Sequence, residues 1–376
     1  MKRTVSLKLV TIQDNALALS ETQELFAVAC NHIVPFAVDN RCWNRVALHH
    51  LSYFPVREFC PDIGSQMACN AIHKVCASYK VLNIAKDQPV PTIKFRSQGS
   101  VHYDKRTYSL KGSVLSLFTV RGRIRCSFRT GVYQKKYLEI GISKEGELVR
   151  RGKHWYFNLV LEIPDTPAVV EGKIFAVDMG ENNLATTSEG TIYGGGQLRH
   201  KRDKFLARRR KLQSNGSPSA MRCFKRISGR EHRHVQETNH IVSKAIVEEA
   251  SQFGARIIVL EDLTNIRKRI KGNKRMRSRL HRWGWKELQM FVEYKAQARG
   301  IKVLHVNPAY SSQKCSLCRC LGFRKRNQFK CPSCGNYQHS DRNAAINLLR
   351  FGESVVSSTA YVNMPMVEAL ATSFSL

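Results

Sequence analysis

Two C-x-x-C pairs near the end of the chain are the residues whose types and spacing most clearly predict chemistry. Twelve residues separate the pairs, whose members are Cys315, Cys318, Cys331 and Cys334. Four thiolates in two such turns are the ligand set of a zinc ribbon, a closed tetrahedral site in which zinc stabilises the fold. Cys320 could replace Cys318, but the spacing C-x4-C from Cys315 is less suitable than C-x2-C. We predict a structural Zn²⁺ bound by the four paired cysteines.

Three acidic residues, Asp178, Glu261 and Asp341, could form a catalytic centre. Asp178 ends the stretch KIFAVD, Glu261 ends the apolar run ARIIVLE, and Asp341 precedes NAAINLL. Mg²⁺ prefers carboxylate oxygens, and a pair of these ions can activate water and stabilise the leaving oxygen in phosphodiester hydrolysis. Each acid also has a structural interpretation, because strand-end acids are often turn residues and Asp341 is a good helix N-cap. We predict that Asp341 is both an N-cap and a metal ligand.

The elements that must position these acids are predicted by the pattern of residues 173–376. Three short β-rich pieces separated by turn residues indicate an antiparallel meander, at residues 174–177, 184–187 and 191–193. Later come a strand ending at Glu261, an amphipathic helix and the strand IKVLHV. The apolar face of the helix contains Trp285, Leu288, Val292 and Ala296. This order is typical of a ribonuclease-H-like α/β fold, with Asp178 and Glu261 ending neighbouring strands and Asp341 on a closing helix.

The first half of the chain has a different pattern. The opening VSLKLV alternates like a short strand, and residues 20–85 have helical periodicity. From residue 90 onward, including PTIKF, the pattern is that of strands, and Trp155, Phe157, Leu159 and Leu161 alternate with polar neighbours. We predict a β-barrel interrupted in sequence by a helical block. The segment IPDTPAVVEG is typical of a linker to a second domain.

The charge of the chain indicates a polyanionic partner. Its 61 Lys and Arg outnumber its 29 Asp and Glu, which gives a formal charge of +32. Nucleic acid fits this charge best, and a membrane surface fits less well because no apolar run approaches the ~18 residues of a membrane span. We expect a soluble, cytoplasmic protein without a membrane partner. Seven scattered cysteines then fit reduced core thiols rather than disulfides.

Two dense basic runs are the predicted nucleic-acid contacts. Residues 199–233 contain 13 Lys or Arg against two acids, and residues 267–282 contain nine against none. Charge runs are often solvated faces, but blocks this dense repel one another unless phosphates lie between them. Aromatic residues in the first run, including Phe205 and Phe224, could stack on bases. The predicted contact residues are Arg199, Lys201, Arg202, Arg208, Arg209, Arg210, Lys211, Arg267, Lys268, Arg269 and Lys271.

Five motifs in this order resemble the TnpB family, the OrfB-type proteins of small bacterial insertion sequences and relatives of compact type V CRISPR nucleases. They are VDMGENNLATTS, IIVLEDLTNIR, NPAYSSQKCSLC, CPSCG and HSDRNAAINLL, within residues 173–350. The resemblance implies an RNA-guided DNA endonuclease of a transposable element, with a RuvC-like nuclease domain that carries an inserted zinc ribbon. Its partners would be a guide RNA, double-stranded target DNA and a transposase encoded by the same element.

The resemblance also implies roles and boundaries. The catalytic acids would be Asp178, Glu261 and Asp341 with Mg²⁺, and the zinc ligands the four paired cysteines. The multidomain α/β fold would comprise a wedge-like β-barrel (1–18 and 88–165), a helical recognition block (19–87), a RuvC-like nuclease (173–310 and 336–350), a zinc ribbon (311–335) and a tail (351–376) that we expect to be partly disordered. The first knuckle, C-x-x-C-R-C-L-G, departs from the family pattern of glycine directly after the second cysteine.

Two other functions use the same residues. A transposase in the strict sense would use a similar acidic trio for strand transfer, with a 3′-hydroxyl as the attacking group. A nuclease-inactive RNA-guided repressor would bind DNA without cutting it, but the presence of all three acids argues against this alternative.

Overall fold

The computed structural model describes residues 1–263, 284–307 and 309–362. The chain forms two compact units, Met1–Pro164 and Asp165–Leu376. Within the described ranges, none of the helices has both the length and the apolar character needed to cross a bilayer.

The first unit contains a seven-stranded sheet that nearly closes into a barrel. Its strands are β1 (Lys2–Val10), β2 (Val101–Asp104), β3 (Tyr108–Lys111), β4 (Val114–Thr119), β5 (Gly122–Arg129), β6 (Ile142–Arg151) and β7 (His154–Glu162). All pairs are antiparallel in the order β2-β6-β7-β1-β5-β4-β3. The two edge strands, β2 and β3, are consecutive in the chain, and a tight turn joins them, with the Thr107 amide donating to the Asp104 carbonyl at 3.0 Å. This turn brings the sheet edges together.

Helices fill the sequence gap between β1 and β2, where the helical block was predicted. They are α1 (Gln13–Asp39), α2 (Arg45–Phe59) and α3 (Ser65–Lys80), and a fourth helix, α4 (Val132–Ile140), joins β5 to β6. Helix α3 buries Met67, Ala71, Val75 and Tyr79, which recur every four residues and share one core with Phe157 of β7. The buried apolar residues of α1, α2 and α3 therefore form one core with the barrel sheet.

The segment PTIKF is not a strand, contrary to the prediction. Its backbone is paired with the side chain of Asn31 in α1 instead of a neighbouring strand. Asn31 donates to the Phe95 carbonyl at 2.9 Å and accepts from the Phe95 amide at 2.8 Å. The backbone groups are satisfied in this way without a ladder.

The second unit contains the predicted meander in a five-stranded mixed sheet. Its strands are β8 (Lys173–Asp178), β9 (Asn183–Thr187), β10 (Ile192–Gly194), β11 (Ala255–Glu261) and β12 (Lys302–Val306), in the order β10-β9-β8-β11-β12. Strands β8, β9 and β10 pair antiparallel, and β11 runs parallel to both β8 and β12. Parallel neighbours end at the same edge of a sheet, so the predicted positions of Asp178 and Glu261 at adjoining strand ends are confirmed.

Helices cover both faces of this sheet. They are α5 (Gly196–Asn215), α6 (Pro218–Ile227), α7 (Arg230–Gln252), α8 (Trp285–Gln297) and α9 (Ser340–Val362). Alternate residues of β11 divide between the faces: Ile258 packs with α7 and α8, and Val259 packs with α9. The predicted apolar face of α8 is buried.

Helix α9 continues through residues that we expected to form a partly disordered tail. Its apolar residues Leu348, Phe351 and Val356 continue to pack on the sheet. Gly352, an unfavourable residue in a helix, lies so close to β11 that a Cβ would come within 2.5 Å of Val259 Cγ2. Tight packing therefore overrides the propensity of glycine, and residues 351–362 belong to helix α9 rather than to a separate tail. Residues 363–376 lie outside the described part of the chain.

A small third sheet carries the cysteine pairs. Strands β13 (Phe323–Lys325), β14 (Gln328–Lys330) and β15 (Tyr337–His339) pair antiparallel between β12 and α9. Phe329 is fully buried and packs with Cys315 and Cys331 in a core of its own.

Candidate functional site

Asp178 and Glu261 meet at the carboxyl ends of β8 and β11. A hydrogen bond joins their side-chain carboxyl groups. Glu261 is 7 % exposed, and its Oε1 also accepts from the backbone amide of Met179 at 3.4 Å. The side chain of Gln289 in α8 donates to the Glu261 carbonyl at 2.7 Å. The end of β11 is therefore fixed from both its backbone and its side chain.

Asp341 approaches this pair from the first turn of α9. It is 7 % exposed, and its carboxylate accepts hydrogen bonds from Asn183 Nδ2 at 2.8 Å, Arg324 Nη2 at 2.8 Å and Ser340 Oγ at 3.2 Å. Three different elements thus orient one carboxylate: β9, β13 and α9 itself.

The prediction that Asp341 is the N-cap of this helix is wrong. Helix α9 begins at Ser340, one residue earlier, so Asp341 lies inside the first turn. The Asp341 amide donates to Nδ1 of His339 at 3.3 Å. The ring of His339 satisfies a backbone donor of the first turn, and the carboxylate of Asp341 is left to face the other two acids.

Burial and mutual repulsion set the protonation of the acids. Burial raises the pKa of Asp178 well above its ordinary value, and its hydrogen bond to Glu261 and the charges of Glu261 and Asp341 raise this pKa further. Burial also raises the pKa of Glu261, although the hydrogen bonds from Asp178 and from the Met179 amide oppose this effect. The positive charge of Arg324 lowers both pKa values. A proton shared between Asp178 and Glu261 would therefore relieve their repulsion when no cation is bound.

This donor set fits a hard divalent cation. The three residues offer only carboxylate oxygens, which Mg²⁺ prefers, and their crowding favours protonation unless positive charge is supplied. Asp178 and Glu261 are thus adjacent, and Asp341 lies near enough for its charge to raise the pKa of both, a placement that suits such an ion.

Arg324 and Asn183 contact the acidic site but were missed by the sequence reasoning. Arg324 lies on β13 of the cysteine-bearing sheet, and Asn183 is the first residue of β9. Asn183 lies within the motif VDMGENNLATTS, so its position beside Asp178 was a usable signal. No local pattern distinguishes Arg324 from the basic residues around it.

The four predicted zinc ligands also meet. The sulfur atoms of Cys315, Cys318, Cys331 and Cys334 all lie within 4.8 Å of one another. Burial opposes ionisation of Cys315, but hydrogen bonds from Cys318, Asn336 and Leu317 more than offset it and lower the pKa of this thiol to about 6. Sulfur that accepts several N–H groups suits a thiolate metal ligand. This cluster could hold a zinc ion.

Cys320 is not part of the cluster. It is exposed, and its carbonyl oxygen accepts the Cys315 amide at 2.8 Å. Its place one turn beyond the first knuckle therefore leaves Cys318 as the second sulfur of that pair.

A buried polar network joins the first knuckle to α9. Asn343 is fully buried: its Oδ1 accepts the Ser316 amide at 2.8 Å and Gln338 Nε2 at 3.0 Å, and its Nδ2 donates to the Lys314 carbonyl at 2.8 Å. One turn later, Asn347 Nδ2 donates to the carbonyls of Ser311 and Lys314 at 2.8 and 2.7 Å. The helix that carries Asp341 is therefore anchored to the cysteine cluster by directional hydrogen bonds.

The predicted basic contacts of the first run lie on α5 and divide into two groups. Arg202 and Arg209 pair with Glu231 of α7 at 3.4 and 2.7 Å, and Arg199 donates to Asn182 Oδ1 at 2.7 Å. The others are exposed: Lys201, Arg208, Arg210 and Lys211. Arg267, Lys268, Arg269 and Lys271 lie outside the described residues.

Comparisons with known proteins find similar sequences and a similar fold. Residues 285–348 match the family model described as "Cas12f1-like, TNB domain". TnpB-like protein MJ0751 of Methanocaldococcus jannaschii is 30% identical over 270 residues, which are 66% of this chain and 95% of that protein. CRISPR-associated endodeoxyribonuclease Cas12f1 of Sulfoacidibacillus thermotolerans is 30% identical over 219 residues, 53% of this chain and 50% of that protein.

A solved structure has the same fold. It is the cryo-EM structure of the Cas12f1–sgRNA–target DNA complex, with a TM-score of 0.63 and 16% identity, and the match covers 90% of this chain and 83% of that chain. At this identity the likeness concerns the fold, a multidomain α/β architecture with a near-closed barrel sheet. The relative from Methanocaldococcus jannaschii is matched almost throughout its length. The sequence resemblance is thereby confirmed, and the chain belongs to the TnpB family.

Proposed function

We propose that the protein is an RNA-guided DNA endonuclease of a transposable element that hydrolyses phosphodiester bonds of target DNA with the help of metal ions. The observation that carries this proposal is the convergence of Asp178, Glu261 and Asp341 from two strand ends and a closing helix. In this interpretation the second unit is a RuvC-like, ribonuclease-H-like nuclease with an inserted zinc ribbon.

Asp178, Glu261 and Asp341 would hold Mg²⁺. When bound, Mg²⁺ supplies Lewis-acid chemistry that activates water and stabilises charge on the leaving oxygen. The chain supplies orientation: the Met179 amide holds Glu261, and Asn183 and Arg324 hold Asp341. The proton that Asp178 shares with Glu261 would leave when cations bind, because their positive charge stabilises the ionised acids.

Cys315, Cys318, Cys331 and Cys334 would hold a structural Zn²⁺. Four sulfur ligands leave no open coordination position, so this ion would stabilise the ribbon and take no part in hydrolysis. Its contribution to activity would be indirect, since the ribbon presents Arg324 to Asp341 and is anchored on α9 by Asn343 and Asn347.

The partners would be a guide RNA and double-stranded target DNA. The formal charge of +32 suits two polyanions. One relative is named an endodeoxyribonuclease, and the structure with the same fold was solved with a single guide RNA and target DNA. Target sequence would be read by base pairing with the guide, while the protein contributes positive charge and the nuclease site.

The test begins with the RNA that co-purifies with the expressed protein, which identifies the guide once it is sequenced. Guided cleavage of matched DNA is then measured in Mg²⁺ and in EDTA for wild type, Asp178→Ala, Glu261→Ala and Asp341→Ala. Asp262→Asn is the matched control, because this neighbour of Glu261 is an exposed carboxylate.

Each of the three alanine variants should lose cleavage by orders of magnitude and keep wild-type affinity for the DNA, since each removes a metal ligand and no base-pairing contact. Asp262→Asn should cleave normally. Full cleavage by one of the alanine variants would remove that residue from the site, and cleavage in EDTA would refute the metal-ion mechanism.

A further inference from the structure

Helix α5 is poorly explained by its own packing. Over twenty residues, only Leu198 is buried. The helix has a single acid, Asp203, against eight basic residues: Arg199, Lys201, Arg202, Lys204, Arg208, Arg209, Arg210 and Lys211. Like charges three and four residues apart repel one another on a helix. A polyanion bound along this helix would offset that repulsion.

Two arginines of α5 already have an acidic partner within the chain. Arg202 and Arg209, seven residues apart, both pair with Glu231 of α7. This double ion pair holds α5 beside α7 and leaves the remaining basic residues to serve another purpose.

A cleft of about 400 Å³ lies between the two helices beside this ion pair. It is lined by Lys201, Lys204, Phe205 and Arg208 of α5 and by His234 of α7. Its volume falls in the ~300–1,000 Å³ range of ligand-binding pockets. Lys201, Phe205 and Arg208 are spaced i, i+4 and i+7, so they project from one side of the helix.

The lining combines an aromatic ring with cations for which the described part of the chain provides no acidic partner. Phe205 is half-buried, and across the residues that the structure describes, neither Lys201, Lys204 nor Arg208 forms an ion pair. Aromatic rings bind the flat faces of bases, and lysine and arginine bind the phosphates on either side. The charge and shape of the cleft therefore complement a nucleotide within a polyanionic strand.

We propose that this cleft binds one unpaired nucleotide of a single-stranded nucleic acid, with its base stacked on Phe205 and the flanking phosphates on Lys201, Lys204 and Arg208. The proposal rests on the proposed function in that it assumes a nucleic-acid partner. It adds a defined site, outside the acidic centre, at which that partner is bound in unpaired form. Base pairs in a duplex are already stacked, so a duplex could neutralise the cations but would leave the ring of Phe205 unoccupied.

The test uses the full chain freed of co-purified RNA. Binding of oligouridylate and oligothymidylate of about 15 nucleotides, a length that matches single-strand binding sites, is measured by fluorescence anisotropy over a salt series. The duplexes that each strand forms with its complementary oligoadenylate are measured alongside. A 2-aminopurine base placed in the single strands reports stacking directly through quenching of its fluorescence.

Phe205→Ala should weaken single-strand binding roughly 5- to 150-fold, the range expected for one stacked base, and abolish the quenching. It should leave duplex binding and the salt dependence unchanged. Phe205→Tyr should restore binding, whereas Phe205→Leu should not, because leucine fills the volume without a π face. Replacing Lys201 and Lys204 by Gln should instead lower the slope of log K against log salt by about 0.7 for each phosphate that the side chains no longer neutralise.

Leu206→Ala is the control on the same helix, since Leu206 is half-buried and does not line the cleft. The proposal is overturned if Phe205→Ala binds single strands like wild type, if Phe205→Leu restores binding, or if duplex affinity falls equally. A preference for uridylate or thymidylate identifies the occupant as RNA or DNA.

Guided cleavage by the wild-type protein keeps this test separate from the proposed function. If the wild type cleaves and Phe205→Ala binds single strands normally, only the stacking site is refuted. If Phe205→Ala loses quenching and the wild type never cleaves, only the nuclease proposal is refuted.

Discussion

Replacing Asn343 by Ala should impair the acidic centre while leaving the cysteine-bearing ribbon folded. Asn343 does not touch Asp341, but it makes three of the hydrogen bonds that dock the ribbon on α9. The ribbon in turn presents Arg324 to Asp341. We therefore expect the substitution to change how firmly Asp341 is held.

The magnitude follows from the groups left behind. Ser316 is 1% exposed, and its amide would lose its acceptor, whereas the Lys314 carbonyl would keep Asn347 as a donor. The bonds to Gln338 and to the Lys314 carbonyl cost about 1 kcal/mol each, and the unsatisfied Ser316 amide costs about 1–3 kcal/mol, so the docking should weaken by about 3–5 kcal/mol. Structural zinc contributes about 10–16 kcal/mol, so the ribbon itself should stay folded. If about 1.4 kcal/mol of this weakening reaches Asp341, the Mg²⁺ concentration for half-maximal cleavage should rise about tenfold.

The assay is guided cleavage across a Mg²⁺ titration. Two readouts do not depend on turnover: the zinc content of the protein, and Mn²⁺ binding detected by electron paramagnetic resonance. Asn343→Asp should be at least as damaging, because it would bury an unpaired charge and set a carboxylate oxygen against the Lys314 carbonyl, whereas Glu353→Gln on the exposed side of α9 should have no effect. An unchanged metal dependence in Asn343→Ala with lowered thermal stability would show that this residue only stabilises the fold. Loss of zinc from the variant would refute the separation of ribbon folding from docking.

Three further predictions concern the cysteine cluster and the acidic centre. Cys331→Ser should lose bound zinc and melt at a lower temperature, because a structural zinc supplies most of the folding energy of such a ribbon. Asp178→Ala should keep stoichiometric zinc. Metal analysis and thermal melts of both variants test this prediction. Arg324→Gln removes a charge that lowers the pKa of Asp178 and of Glu261. The acid limb of its rate–pH profile should therefore move to higher pH, and Arg324→Lys should restore it. An unmoved limb would place Arg324 outside the electrostatics of the site. The pKa of Asp178 is raised in the fold from 3.8, so in EDTA the wild type should lose stability as pH rises through this raised pKa. Asp178→Asn should not lose stability with rising pH, and at neutral pH it should be more stable than the wild type by about 1.4 kcal/mol per unit of pKa shift. Equal stability of the two proteins from pH 5 to 8 would contradict the raised pKa.

The sequence predicted those features of the fold that depend on local patterns. The meander of β8, β9 and β10 follows from short apolar runs between turn residues, and the parallel placement of β11 follows from a run that is apolar on both faces. These two features bring Asp178 and Glu261 together without further information. The cysteine spacing likewise predicted which four sulfurs meet.

What the sequence did not predict depends on contacts between distant elements. The neighbouring sequence alone predicts that Asp341 is an N-cap. In the structure, the ring of His339 accepts the hydrogen bond from the Asp341 amide, and the Asp341 carboxylate is bound by Asn183 and Arg324. Gly352 reads as a helix-weakening residue, but close packing on Val259 requires it. In both cases tertiary packing decides between two locally reasonable structures.

Several elements of the fold together reduce the electrostatic cost of the acidic centre. Burying three carboxylates is costly, because each ionised group loses hydration and repels the other two. The fold reduces this cost in the cation-free state by a shared proton between Asp178 and Glu261 and by the guanidinium of Arg324 beside Asp341. Since Arg324 arrives on the ribbon, a ribbon that is unfolded or undocked should leave Asp341 without its counter-charge. Zinc at the four cysteines would therefore affect the acidic centre through the position of one arginine, even though it coordinates none of the three acids.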